Sequence, residues 1–339
     1  MKSSTSLAQA TRKISLAQAT RQTCLVIALL TAGNAFAATK LNFDTVNDAA
    51  LLDPVGGKAS SAAVLRAQIL LARANFSVGE IDAGFGSNTR KAITAYQTRQ
   101  GLTASGVLDA ASWAALNVDV APALMRYAVT ASDVAGPFVE LPKDMIDKAT
   151  LPALGFETAL EGLAEKFHSS PKLLELLNPG LDLSKVDQEI IVPALEGATP
   201  LAKAAKVVVD RSESTVTLLD ADGGVLSHYP ASTGSEHDPL PVGEWKIQGI
   251  APNPTFHYNP ALFWDADPTH AKAKIPAGPN NPVGVVWVDL SKEHYGIHGT
   301  PVPSRIGKSQ SHGCIRLTNW DALALSGAVT AGTPALLQE

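Results

Sequence analysis

Cys314 is the side chain in this sequence best suited to covalent chemistry, and two histidines accompany it. It ends the run Ser311-His312-Gly313-Cys314, and His298 precedes it by sixteen positions. A thiol becomes a strong nucleophile when a neighbouring base takes its proton, and histidine often does so. The alternative is that Cys314 is a small buried hydrophobic residue. The two histidines and the Gly-Cys turn favour catalysis, so we predict that Cys314 is a nucleophile.

The residues before Cys314 suggest how a reaction at the thiol would be assisted. A glycine at 313 lets the backbone approach a substrate closely, so the amides of Gly313 and Cys314 are candidates for an oxyanion hole. His312 could orient the loop through a hydrogen bond, polarise the substrate or be purely structural, and the sequence leaves these three roles open. We therefore include Gly313 and His312 among the catalytic candidates.

A zinc site is an alternative from another class of chemistry, since His298, His312 and Cys314 are all possible zinc ligands. Catalytic zinc needs three protein ligands in a fixed geometry together with a water molecule. No motif such as H-E-x-x-H supports such a set here. We expect neither a metal nor another cofactor.

The first 37 residues have the pattern of a secretory signal peptide. They contain basic residues but no acidic one, then an apolar run from Cys24 to Leu30, and they end in Ala35-Phe36-Ala37. The apolar run is too short for a membrane anchor. We predict cleavage after Ala37, which removes Cys24, leaves Cys314 as the one cysteine of an exported protein and leaves no transmembrane anchor.

Charge argues against nucleic acid as a partner. The predicted signal holds 4 of the 27 basic residues and none of the 32 acidic ones, so 23 bases remain against 32 acids and the net charge is about −9. Some three hundred residues then remain for two or three compact domains. The patterns predict a multidomain α+β protein with a linker over residues 38–58.

Residues 59–118 are predicted to form a bundle of three helices. Apolar residues at helical spacing begin at Val64, a glycine-rich turn follows at 81–86, and a second helix stops at Gly101. Asp109 is placed to cap a third, short helix. The stretch 79–89 and Trp113-Ala114-Ala115-Leu116 resemble the small helical peptidoglycan-binding domain, which implies a contact with the cell wall outside the chemistry.

Residues 124–195 are predicted to form a strand, two short helices and a second strand. The stretches 163–167, 173–179 and 190–193 resemble a LysM repeat, a glycan-binding βααβ unit. An insertion from about Val134 to Glu157 interrupts the pattern, so the alternative is a degenerate spacer.

Residues 205–338 are predicted to form a mostly antiparallel β domain. β-rich runs at 207–209, 215–219 and 244–247 are separated by Asp222-Gly223-Gly224 and Pro241-Val242-Gly243, and Asp-Gly between two such runs indicates a hairpin. A long segment rich in proline and aromatic residues follows, from Ala251 to Pro282. Segments of this length often form the walls of a substrate site.

This last domain resembles the catalytic domain of the L,D-transpeptidases. The matching stretches are 241–243, 276–284, Ile297-His298-Gly299-Thr300 and 311–317, all in the family's order. The resemblance implies that His298 activates Cys314 and that the thiol attacks the peptide bond after the third residue of a peptidoglycan stem. We expect Gly299 and Thr300 to fix the imidazole through a backbone carbonyl.

The resemblance also implies a substrate-binding set. Arg316 could bind a carboxylate of the stem peptide or form a surface ion pair, Asn319 is expected to tie down the turn, and Thr300 and Ser311 complete the set. The expected partners are stem peptides and glycan, with an outer-membrane lipoprotein as a further candidate acceptor, in the periplasm or cell envelope of a bacterium. Cross-linking, lipoprotein attachment and hydrolysis stay open, as does a wall-binding protein with little catalysis.

Overall fold

A bundle of helices begins the part of the chain that the computed structural model describes, residues 41–339. The predicted signal peptide lies outside these residues. The helices are α1 (Phe43–Asn47), α2 (Ser61–Arg73), α3 (Ser87–Arg99) and α4 (Ala110–Leu116). Asp109 caps α4 as predicted, because its carboxylate accepts a hydrogen bond from the amide of Ser112.

Residues 41–58 belong to this bundle, which corrects the prediction of a linker. Helix α1 packs against α2, and the side chains of Val46 and Val55 are fully buried. Val55 also exchanges two backbone hydrogen bonds with Leu108, of 3.1 and 3.0 Å. The sequence pattern does not reveal this packing because α1 has five residues and buries one of them.

The second part of the chain has the predicted order of strand, helices and strand. Its elements are β1 (Leu124–Ala128), a 3₁₀ turn (Ala131–Val134), α5 (Met145–Lys148), α6 (Ala159–Lys166), α7 (Pro171–Leu177) and β2 (Glu189–Pro193). The two strands are antiparallel neighbours. The resemblance to a LysM repeat stays a prediction.

A curled, mostly antiparallel sheet of eight strands dominates the third part. The strands of this part are β3 (Lys206–Asp210), β4 (Thr215–Leu219), β5 (Val225–Pro230), β6 (Gly243–Pro252), β7 (Phe256–Tyr258), β8 (Ala273–Ile275), β9 (Val286–Leu290), β10 (Gly296–His298), β11 (Ile315–Arg316) and β12 (Pro334–Gln338). The sheet order is β11-β10-β9-β6-β12-β3-β4-β5, and β7 pairs with β8 outside it. The β10–β11 and β12–β3 pairs are parallel.

The core of this domain lies between the sheet and one helix. Helix α8 (Asn319–Ala328) begins at Thr318, whose hydroxyl accepts a hydrogen bond from the amide of Asp321, and it packs on β9 and β10. Fully buried aliphatic side chains fill the space between, among them Val288 and Ile297. Within residues 41–339, no helix has the length and apolarity needed to cross a bilayer.

Candidate active site

A cleft of about 940 Å³ opens beside β9, β10 and β11 and contains Cys314. Each of these strands contributes one side chain to the lining, Trp287 from β9, His298 from β10 and Arg316 from β11. Because β10 and β11 are parallel neighbours with His298 opposite Arg316, Cys314 enters the cleft just before β11 begins. Strand pairing therefore brings the predicted nucleophile and base into one cavity.

The imidazole of His298 is held in one orientation. Its Nδ1 lies 2.7 Å from the carbonyl oxygen of Gly299, the predicted backbone contact. Since a carbonyl can only accept, Nδ1 carries the proton and Nε2 keeps a lone pair. The ring also stacks on Trp287, with centroids 5.4 Å apart and planes 18° from parallel. The orientation and tautomer suit a general base.

The resting charge state of Cys314 and His298 is set mainly by burial. Burial raises the pKa of the Cys314 thiol, and the nearby amide of Gly296 and the guanidinium of Arg316 oppose this shift. Burial lowers the pKa of His298 to about 3, and Arg316 lowers it further, while the Gly299 carbonyl opposes the shift. Near neutral pH the cleft thus holds a thiol and a neutral imidazole, not a preformed pair of thiolate and imidazolium.

The thiol lies near a backbone carbonyl, and two unused amides precede it or belong to it. Sγ of Cys314 lies 3.7 Å from the carbonyl oxygen of His294. The amides of Gly313 and Cys314 donate no hydrogen bond within residues 41–339. Gly313 has φ +95°, and a Cβ there would lie 2.7 Å from the ring of Tyr295. Only glycine therefore fits at position 313. Because the amides of Gly313 and Cys314 have no acceptor in the described part of the chain, both are available to hydrogen-bond a developing oxyanion.

His312 lies at the edge of the cleft, in contact with the long segment that precedes β9. Its Nε2 is 2.9 Å from Oδ1 of Asp265. Its ring packs edge-on against Phe263, with centroids 5.3 Å apart. Of the three roles left open by the sequence, this geometry favours the first, orientation of the loop through a hydrogen bond.

One of the four predicted substrate-binding residues lines the cleft, and the other three make hydrogen bonds to the backbone around it. Arg316 lines the cleft, and its Nη1 donates to the carbonyl of Gln310 at 3.3 Å. The hydroxyl of Thr300 accepts from the amide of Val302 at 3.2 Å.

Ser311 and Asn319 are internal braces. The hydroxyl of Ser311 donates to the carbonyl oxygen of Cys314 at 2.5 Å, which closes the turn that carries the thiol. Asn319 is 1% exposed and links the amide of Val285 to the carbonyl of Pro279, so it ties down the loop before β9. Both side chains position the site from behind and are too buried to meet a substrate directly.

Three cleft residues escaped the sequence analysis, namely Trp287, Tyr295 and Asp265. Trp287 stacks on the base, Tyr295 covers Gly313, and Asp265 binds His312. Tyr295 lies three residues before His298, so its proximity could have been inferred, whereas Trp287 and Asp265 reach the site only through tertiary contacts. In residues 41–339 no three His, Cys, Asp or Glu side chains are grouped as metal ligands.

Comparisons with known proteins find two matching families, one for each end of the described chain. The sequence model of a family described as the L,D-transpeptidase catalytic domain matches residues 204–337, and that of a putative peptidoglycan binding domain matches residues 60–116. The putative L,D-transpeptidase YkuD of Bacillus licheniformis is 34% identical over 176 residues, which cover 51% of this chain and 90% of that protein. Its Bacillus subtilis counterpart is 31% identical over 175 residues, again 51% of this chain and 90% of the relative.

One solved structure adds a distant similarity. An L,D-transpeptidase from Mycobacterium smegmatis matches 40% of this chain and 58% of its own, with 25% identity and a TM-score of 0.32. The chain therefore spans less than two thirds of that structure.

Proposed function

Because the chain belongs to the L,D-transpeptidase family, we propose that it acts on the stem tetrapeptides of peptidoglycan through a thioester on Cys314. The observation that carries the proposal is the pairing of β10 with β11, by which the Cys314 thiol and the oriented imidazole of His298 line one cleft. The bond attacked is the one after the third residue of the stem. The products of the first half-reaction are free D-alanine and a tripeptide joined to the enzyme.

The acylation step follows from the protonation states of the two groups. The thiol passes its proton to Nε2 of His298 as Sγ attacks the carbonyl carbon of the third residue, so charge forms only in the transition state. The amides of Gly313 and Cys314 stabilise the oxyanion, at ~2.7–4 kcal/mol for such a donor. The oxyanion then collapses, the C–N bond breaks, and His298 returns the proton to the departing amino group of D-alanine.

The second half-reaction decides the product. An amine from another stem attacks the thioester carbon, loses a proton to His298 and gives a cross-link between third residues, and the proton restores the thiol. An amine of an outer-membrane lipoprotein would give attachment by the same step, and water would give a free tripeptide. The wall of the cleft formed by residues 251–282 is our candidate for selecting among these acceptors.

We also propose that residues 59–118 bind peptidoglycan and that the first 37 residues direct export to the cell envelope. The match of residues 60–116 to a putative peptidoglycan binding domain supports the first point. The second rests on the pattern of basic, apolar and small residues before residue 38.

Mass spectrometry of the trapped enzyme tests the reaction. After incubation with a stem tetrapeptide, the peptide that contains Cys314 should gain the mass of a tripeptide, and free D-alanine should accumulate. The Cys314→Ala protein should form neither product while keeping the circular dichroism spectrum of the parent. An adduct that retains the terminal D-alanine, or turnover by the alanine variant, would show that the proposed bond or nucleophile is wrong.

A further inference from the structure

The insertion of the second part of the chain, residues 135–157, reaches the catalytic cleft. Lys143, Asp144 and Met145 line the same cavity as Cys314. These residues lie at the start of α5, which packs against β8 of the third part. The insertion that interrupts the LysM-like pattern is therefore a component of the cleft.

An apolar cluster fixes the insertion to residues 251–282, which we call the wall segment. Leu154 is fully buried in this cluster together with Tyr258 and Ile275 of the wall segment. The backbone of Leu154 donates to Ala277 at 3.0 Å and accepts from Asn280 at 3.1 Å. Two backbone hydrogen bonds and a shared apolar core therefore hold the insertion against the wall segment.

A chain of polar groups joins the two segments closer to the cleft. Oδ2 of Asp144 accepts a hydrogen bond from Nε2 of His270 at 2.9 Å. The other ring nitrogen of His270, Nδ1, lies at hydrogen-bond distance from the hydroxyl of Tyr258, 3.0 Å away. The other oxygen of Asp144 caps α5, accepting from the amides of Ile146 and Asp147. One carboxylate therefore holds both its own helix and the wall segment.

The wall segment carries the residues that contact His312. Tyr258 lies against Phe263, with centroids 5.8 Å apart, and Phe263 packs on His312. Asp265 of the same segment binds Nε2 of His312, two positions before Cys314. A displacement of Tyr258 would thus shift the partners of the loop that carries the thiol.

We propose that Asp144 is a positioning residue that latches the wall segment, so that the insertion of the second part completes the substrate-binding side of the cleft. The latch acts through His270 and Tyr258 on the surface that meets the peptide, not on the reacting atoms. Its kinetic consequence rests on the function proposed above, whereas its structural consequence does not.

The experiment compares Asp144→Ser with Asp147→Ser. Serine at 144 retains an oxygen that can cap α5 but is too short to reach His270. Asp147 lies on the same helix, is exposed and loses the same charge on substitution, so it is the matched control. Tyr258→Phe breaks the chain at its other end and leaves α5 untouched.

Hydrogen exchange gives the readout that does not depend on substrate. Backbone amides of residues 256–275 should exchange faster in Asp144→Ser and in Tyr258→Phe than in the parent, and Asp147→Ser should match the parent. Unchanged exchange in both latch variants would overturn the proposal.

Kinetics with a stem tetrapeptide test the effect on the cleft. Asp144→Ser should raise KM about tenfold, which corresponds to ~1.4 kcal/mol of binding, and should leave kcat within about twofold because the reacting groups are unchanged. Equal KM values for the Asp144 and Asp147 variants would show that Asp144 acts only as a helix cap and does not position the wall segment. If the parent protein turns over no tetrapeptide, the proposed function fails while hydrogen exchange still decides the latch.

Discussion

At the scale of single residues, the notable feature of the site is that both reacting groups are uncharged, with His298 buried and Cys314 half-buried. Taking a thiolate and an imidazolium out of water is costly unless each is well paired, and for Cys314 the effect of burial outweighs the opposing amide of Gly296 and guanidinium of Arg316. A neutral pair avoids this cost until the substrate arrives. Proton transfer then coincides with attack, when the oxyanion amides can take up the new charge.

Alkylation of Cys314 by iodoacetamide measures the protonation state directly. The raised pKa of the thiol leaves less thiolate at neutral pH than in free cysteine, so the rate should still be rising at the pH where the rate of the denatured protein has levelled off. A preformed ion pair would instead give a rate that changes little between about pH 6 and pH 8. The denatured protein is the control, since its thiol should titrate near the ordinary value of about 8.5. A plateau in the folded protein would contradict the neutral pair.

At the scale of elements, the sequence predicted three of the four helices of the bundle, α2, α3 and α4, and the β-rich runs that lie in β3, β4 and β6. Strand β4 has the predicted bounds of Thr215–Leu219, and its hairpin with β5 turns at the predicted Asp-Gly. These elements could be predicted because their sequence signals, a β-rich run and a turn dipeptide, are local.

The missed elements have no local signal. Strand β10 is three residues long and all three are buried, so the alternation that identifies a strand is absent. The contacts of the site have the same limitation. Cys314 and His298 were found from residue type and family motif, but the stacking of Trp287 and the bond from Asp265 arise from pairing between distant segments.

Helix α8 contains a buried carboxyl group that should make stability depend on pH. Burial raises the pKa of Asp321 to about 7, although hydrogen bonds from Thr318 and Ser77 oppose the shift. The folded protein therefore binds one more proton than the unfolded chain between about pH 4 and pH 7. The contribution is complete below pH 4 and is lost as the pH rises through 7, at about 1.4 kcal/mol per pH unit.

Urea unfolding of Asp321→Asn at about pH 5 and pH 8 tests this linkage. The amide cannot ionise and can still accept from Ser77, so the variant should lose less free energy of unfolding on going to pH 8 than the parent does. Asp53→Asn is the control, because Asp53 is exposed. Equal losses in the parent and in Asp321→Asn would show that Asp321 does not cause the dependence.

At the scale of the whole molecule, the bundle is attached to the catalytic sheet through shared structure. Strand β5 is the last strand of the sheet, and its His228 exchanges backbone hydrogen bonds with Asn75 and Ser77, of 3.1 and 2.9 Å. Ser77 also donates to Asp321 at 2.8 Å. The bundle thus covers an edge that would otherwise present unpaired backbone groups.

The bundle also touches the loop that leads to the thiol. The side-chain amide of Asn88 donates to the carbonyl oxygen of Ile306 at 3.0 Å, in the segment between His298 and Cys314. From the sequence the bundle is expected to take no part in the chemistry, and none of the catalytic candidates comes from it. Its influence on the site would be indirect, through the position of this loop.

Removal of residues 41–116 should therefore lower both stability and turnover, in addition to weakening binding to insoluble peptidoglycan. The deletion uncovers β5 and exposes His228 and Tyr229, which are 4% and 2% exposed in the full chain. We expect a fall in melting temperature on the order of 10 °C, since 1 kcal/mol shifts a chain of this size by ~2–4 °C. A truncated protein that melts and reacts like the parent would show that the bundle is an independent wall-binding module.

The substitution Asn88→Ala in the full chain tests the loop contact alone. It should lower kcat several-fold at an unchanged melting temperature, because only the position of the loop changes. The control is Ser87→Ala, an exposed neighbour at the start of α3.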